Sequence, residues 1–163
     1  MSVLASKRRE SRFEVLVFAD ELRQMFVEFS QRDFGVKDLD QLVRIRYACG
    51  KDKTENFARY RDLMRKSKDQ VIQQTALITS NLRAANSIYP RTLHEYEIRR
   101  DYQNYALAHC EILVKELQHI VEVFDVDINA YHRYINAIDR EIGLIKKWRQ
   151  SDNKIKSHLQ GSV

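Results

Sequence analysis

Glycine and proline are nearly missing from this chain, with four glycines and one proline in 163 residues. Tight turns demand these residues and helix interiors reject them. A β-sandwich or α/β fold of this length would need many more of both. The shortage also argues against a phosphate-cradling glycine loop and a nucleophile elbow. Cysteine is scarce as well. Cys49 and Cys110 lie far apart and have no histidines at ligand spacing, which argues against a zinc site of the usual kind. They read as one loop thiol and one buried thiol, both reduced, in a cytoplasmic protein. No run of about 18 apolar residues occurs, so no membrane span is expected. The first residues, MSVLASKRRESRFEV, lack the apolar stretch and small-residue cleavage site of a secretory signal.

What is present is charge and helical periodicity. Hydrophobic residues make up 44% of the chain and charged residues 31%, with a net charge of +5. The positive charge is segregated: residues 1–12 carry +3, residues 34–70 carry +4 and residues 126–163 carry +3, while residues 13–33 carry −3. A uniformly solvated surface has no need of that arrangement.

Four stretches follow the three-and-four spacing of an amphipathic helix. In the first, Val15, Phe18, Leu22, Met25 and Phe29 predict a helix over 8–32, ended by Phe34-Gly35 with Gly35 as a left-handed cap. In the second, Val71, Thr75, Ile78, Leu82 and Ala85 give the seam of a helix over 57–88, stopped by Tyr89-Pro90. Thr92-Leu93-His94-Glu95 is a capping box that opens a third helix. Its seam is Ala106, Cys110, Leu113, Leu117, Ile120 and Phe124, with a second apolar column at Leu107, Val114 and Val121. Asp127 or Asn129 caps a fourth helix along Ile128, Tyr131, Ile135, Ile138, Ile142 and Ile145, ending near Trp148.

Short links at 89–91 and 125–128 predict antiparallel neighbours, hence an all-α, up-down four-helix bundle over 1–150. Residues 34–58 read as a long helix 1–2 connection, a loop or partly helical insertion, and 151–163 as a flexible polar tail.

The chemistry-bearing residues are few. Glu116-x-x-His119 matches half of a di-iron carboxylate site, but no second copy exists, so no metal is expected. His94, His109, His132 and His158 have no acid or cysteine at a useful spacing. No paired-carboxylate cleft is visible, and neither catalysis nor a cofactor is expected. Basic clusters remain. Lys7, Arg8, Arg9 and Arg12 sit in the first turns of helix one, where the macrodipole disfavours cations, so some other benefit offsets the placement. Arg99 and Arg100 stand beside Tyr102 and Gln103, a mixture that grips phosphates and stacks on bases or forms local ion pairs. Lys146, Lys147 and Arg149 lie in the last turn of helix four, where the dipole favours them. Together these nine residues are the candidate nucleic-acid contacts.

Four blocks carry a family likeness: Ser6-Lys7-Arg8-Arg9-Glu10-Ser11-Arg12-Phe13-Glu14-Val15, Ala84-Ala85-Asn86-Ser87-Ile88-Tyr89-Pro90, Arg99-Arg100-Asp101-Tyr102-Gln103-x-x-Ala106-Leu107 and Trp148-Arg149-x-Ser151-Asp152. In these the chain resembles the four-helix-bundle family of ribosomal RNA intervening-sequence proteins and the accessory variability determinants of diversity-generating retroelements. The likeness spans the chain apart from about 34–58. It implies a small, basic, non-catalytic bundle that closes into a homo-oligomer, a pentameric barrel in the accessory proteins. It further implies binding to a reverse transcriptase and its template RNA, as structured RNA or RNA–DNA hybrid, in support of mutagenic cDNA synthesis. Lys7, Arg8, Arg9, Arg12, Arg99 and Arg100 would be the contacts. The alternative expectation is a helical protein–protein adaptor, its basic ends meeting an acidic partner and the Leu107/Val114/Val121 column forming the interface.

Overall fold

The structure is a computed structural model that describes residues 3–36, 53–124 and 126–161, with side chains described for 14–36, 58–124 and 126–161. Among these residues all regular structure is helical. Four long helices are α1 (Val3–Gln31), α2 (Lys53–Ser87), α3 (Leu93–Phe124) and α4 (His132–Gln160), with short 3-10 turns at Asp33–Gly35 and Ile128–Tyr131. Helices α1 and α3 each pack on both α2 and α4, and the α2–α3 contact is the most extensive. None of the described helices is long and apolar enough to cross a membrane.

The end of α1 is more strained than the sequence suggests. Gly35 takes a left-handed conformation at φ 80° as expected, but Asp33 and Phe34 do so too, at 51° and 54°. Each costs roughly 1–2 kcal/mol for a residue with a Cβ. Tertiary contacts offset that cost. Phe34 is fully buried with its ring edge-on to Phe29 at 5.3 Å. Its carbonyl accepts the Tyr131 hydroxyl at 2.8 Å, and Asp33 pairs with Lys68 at 2.5 Å. The turn is therefore pinned to the start of α4 and to α2.

At the α2–α3 junction the capping box forms as the sequence predicts. The Glu95 amide donates to Thr92 Oγ1 at 3.2 Å, while the Glu95 carboxylate accepts from the Arg91 and Thr92 amides. Those amide bonds, Arg91's first, hold the carboxyl below its ordinary range. Asp127 accepts the Asn129 amide at 2.9 Å and opens the second 3-10 turn.

The expected seams of α1, α2 and α3 are buried, apart from Met25, which is half-buried. Each large apolar side chain so buried contributes about 1.5–3 kcal/mol. The expected seam of α4 is rotated. Ile128 is exposed and Ile135 and Ile142 are half-buried, whereas Ala137, Ile138, Glu141, Leu144, Ile145, Trp148 and Asp152 face inward. Two acids on the buried face account for the error, because a reading by hydropathy turns Glu and Asp outward.

Three boundaries also move. Helix α1 begins at Val3 and not near residue 8, so Lys7, Arg8, Arg9 and Arg12 lie in its second and third turns. Residues 53–58 of the expected connection belong to α2, and 34–36 to the 3-10 turn and its cap, while 37–52, including Cys49, lie outside the described residues. Helix α4 runs on to Gln160 instead of ending near Trp148. Asp152, buried beyond that point, ties the extension to α3.

Candidate nucleic-acid interface

The end of α2, the first turns of α3 and the last turns of α4 meet around Arg99. Its Nε and one terminal nitrogen donate to the two carboxylate oxygens of Asp152 at 2.7 and 3.0 Å, and its other terminal nitrogen donates to the Ile88 carbonyl at 2.7 Å. Gln103 Nε2 also donates to Asp152, at 2.9 Å, and the guanidinium lies 5.1 Å from the Trp148 ring centroid. Arg99 and Asp152 are each 1% exposed. Arg99 is therefore a lock joining three helices, and the expectation that it contacts nucleic acid is corrected. A buried fork of this kind has its charge neutralised and its donors filled.

Arg100, one residue further on, projects to the outer groove between α3 and α4. It donates to the Tyr96 hydroxyl at 2.6 Å and to Asn153 Oδ1, with its charge 5.4 Å from the Tyr96 ring centroid. No carboxylate is paired with it in the ion pairs of the described residues. Arg149, half-buried on α4, lies close enough for the Arg100 charge to act on it. Burial first, and Arg100 second, push the Arg149 guanidinium below its ordinary range. Its Nε is buried with no protein acceptor. The two guanidiniums thus lie near enough for their charges to act on each other, and the buried Arg149 Nε has no acceptor among the described residues.

The remaining expected contacts divide. Lys146 is exposed one turn before Arg149 on the same face of α4 and extends the edge. Lys147 is exposed but falls about 100° further round the helix. Lys7, Arg8, Arg9 and Arg12 belong to α1, and their side chains lie outside those described. Three cations of the first half of α2 have internal partners: Asp62 takes Arg65 and Lys66, each at 2.7 Å, and Asp33 takes Lys68.

The sequence reading placed Gln103 in a phosphate-gripping mixture and missed its burial along with Asp152 and Trp148. The signal was present, because Arg99 and Gln103 continue the Ala106/Cys110/Leu113 seam backward at the same spacing, which places both in the core. Glu141 was missed too. It is 0% exposed, neither carboxyl oxygen has a partner among the described residues, and burial pushes its carboxyl up to about 8.

Among the described residues no three His, Cys, Asp or Glu side chains gather as a metal site. The chain matches no protein-family model, no curated protein and no solved structure.

Proposed function

We propose that this chain is a non-catalytic, cytoplasmic helical scaffold that holds structured RNA, or an RNA–DNA hybrid, on the cationic edge formed by Lys146, Arg149 and Arg100. The observation that carries the reading is the Arg100–Arg149 pair. Like charges near enough to disfavour each other are relieved by an anion such as a phosphate, which would meet the accessible ends of the half-buried guanidiniums and not the buried Arg149 Nε. Tyr96 and Asn153 hold Arg100 from behind, so little side-chain freedom is lost on binding. The family likeness supplies the partner and the setting: a retroelement reverse transcriptase whose template RNA the scaffold presents, in an up-down bundle that assembles into a homo-oligomer. Lys7, Arg8, Arg9 and Arg12 add cations in this reading.

The test is an electrophoretic shift with a fluorescent RNA hairpin. Arg100→Gln combined with Arg149→Gln is expected to weaken binding at least tenfold, about 1.4 kcal/mol, as removal of two phosphate contacts implies. Unchanged affinity refutes the assignment.

A second reading has its own observation. An apolar groove of about 590 Å³ lies between α3 and α4, lined by Val114, Leu117, Val121, Ile128, Tyr131 and Ile135 among others. It continues the column of which Val114 and Val121 are part. An acidic amphipathic helix would seat apolar side chains there and, if it ran on for about 21 Å along α4, bring a carboxylate to Arg149. This adaptor reading requires that the hairpin fail to bind at all and that Val121→Asp abolish capture of the purified acidic partner.

A further inference from the structure

The outer face shared by α2 and α3 differs from the rest of the surface. In a chain that is 31% charged, residues 70–82 contain no Lys, Arg, Asp or Glu, and neither do residues 102–110. The fold brings these two stretches side by side, since His109 Nδ1 lies 2.8 Å from Gln74 Oε1. An uncharged band therefore crosses the middle of the α2–α3 pair. It offers nothing to a polyanion.

Along the edge of this band runs an apolar stripe. Ile98, Tyr105 and Ile112 are 37%, 56% and 41% exposed, and they recur every seventh residue on α3. Seven residues are two turns, so the three side chains stand on one face along about 21 Å of helix. Tyr105 is held from the side by Tyr102, whose ring meets it edge-on at a centroid distance of 6.4 Å. Such spacing is that of a helix awaiting a second helix.

The stripe is its own complement. Reversing the direction of α3 about Tyr105 lays Ile98 on Ile112, Ile112 on Ile98, and Tyr105 on itself. The flanking charges agree with the same operation. Lys115 is the only Lys or Arg from 101 to 124, and reversal sets it beside the turn that carries Glu95 and Glu97. Lys115 and Glu97 are both exposed. Two reciprocal ion pairs would frame a centre that is uncharged over 102–110, with the exposed Asp101 and Glu111 at its margins, the layout of an interface with an apolar core and a polar rim.

From this geometry we propose that the Ile98–Tyr105–Ile112 stripe docks a second copy of this chain, its α3 running antiparallel about a two-fold axis at Tyr105. The contact is isologous, so it closes with an even number of copies. This distinguishes it from the five-membered barrel implied by the family likeness. It is also independent of the RNA reading, because Tyr105 is no part of the Arg100–Arg149 edge.

Sedimentation of the full chain, with Tyr105→Glu and Tyr105→Cys variants, tests the proposal. The unsubstituted chain is expected as a dimer, or an even multiple, at micromolar concentration. Tyr105→Glu places like charges on the axis and is expected to raise the dissociation constant by roughly tenfold or more, with unchanged helical content by circular dichroism because Tyr105 is exposed in the single chain. Tyr105→Cys, in a Cys49→Ser background, is expected to form a covalent dimer on mild oxidation. A monomer at every concentration, an odd number of copies, or a mass unaffected by Tyr105→Glu overturns the proposal.

Discussion

Replacing Glu141 by glutamine should stabilise the protein, and by more as the pH rises. Glu141 faces the core near enough to Cys110 to act on its thiol, with no partner for either carboxyl oxygen among the described residues. Burial raises its carboxyl from an ordinary 4.5 to about 8, against a smaller opposing effect of Arg140. An acid raised in the folded state keeps its proton longer there than in the unfolded chain. Between 4.5 and 8 the unfolded state gives up a proton that the folded state retains, so stability falls with rising pH across that window and levels off above it. At pH 7 the gap is about 2.5 pH units, worth roughly 3 kcal/mol at about 1.4 kcal/mol per unit. In a chain of this size that corresponds to a melting shift on the order of 10 °C. Calorimetry of both proteins from pH 5 to pH 9 checks it. The difference in melting temperature should be small at pH 5, widen to pH 8 and then hold constant. A difference that does not change with pH would show that Glu141 is ionised, or solvated, in the folded protein.

Three further outcomes follow from the packing. Asp152→Ala leaves the Arg99 guanidinium buried and unpaired and should cost about 3–5 kcal/mol, read from urea unfolding midpoints. Tyr131→Phe removes the only hydrogen bond described to the Phe34 carbonyl and should cost about 1–2 kcal/mol by the same measurement. Cys110, whose thiol burial pushes up, should resist alkylation in the native state and react only as fast as the chain unfolds, followed by mass spectrometry in a Cys49→Ser background.

The helices were legible because their signals are local. Val71, Ile78 and Leu82 repeat at helical spacing, Thr92 and Glu95 cap reciprocally, and Pro90 forbids continuation, all within a few residues of sequence. The site was less legible because its meaning is long-range. Arg99 reads as a surface cation until Asp152, fifty-three positions away, arrives to neutralise it. The same holds for Glu141 and Asp152, whose polarity disguised the inner face of α4 and led to a seam rotated toward Ile135 and Ile142. Phe34 could not be assigned a left-handed backbone from sequence, since only its burial against Phe29 and its bond from Tyr131 make that conformation tolerable. Arg100 and Arg149 were each named from sequence, but that their charges act on each other is a product of the fold.

The salt dependence of RNA binding tests the role of these two cations most directly. Affinity for a hairpin should fall linearly with salt on logarithmic axes, and Arg100→Gln with Arg149→Gln should reduce the slope by about 1.4–1.8, the contribution of two phosphate contacts. Equal slopes for the two proteins would contradict the account, because the paired guanidiniums would then face water alone.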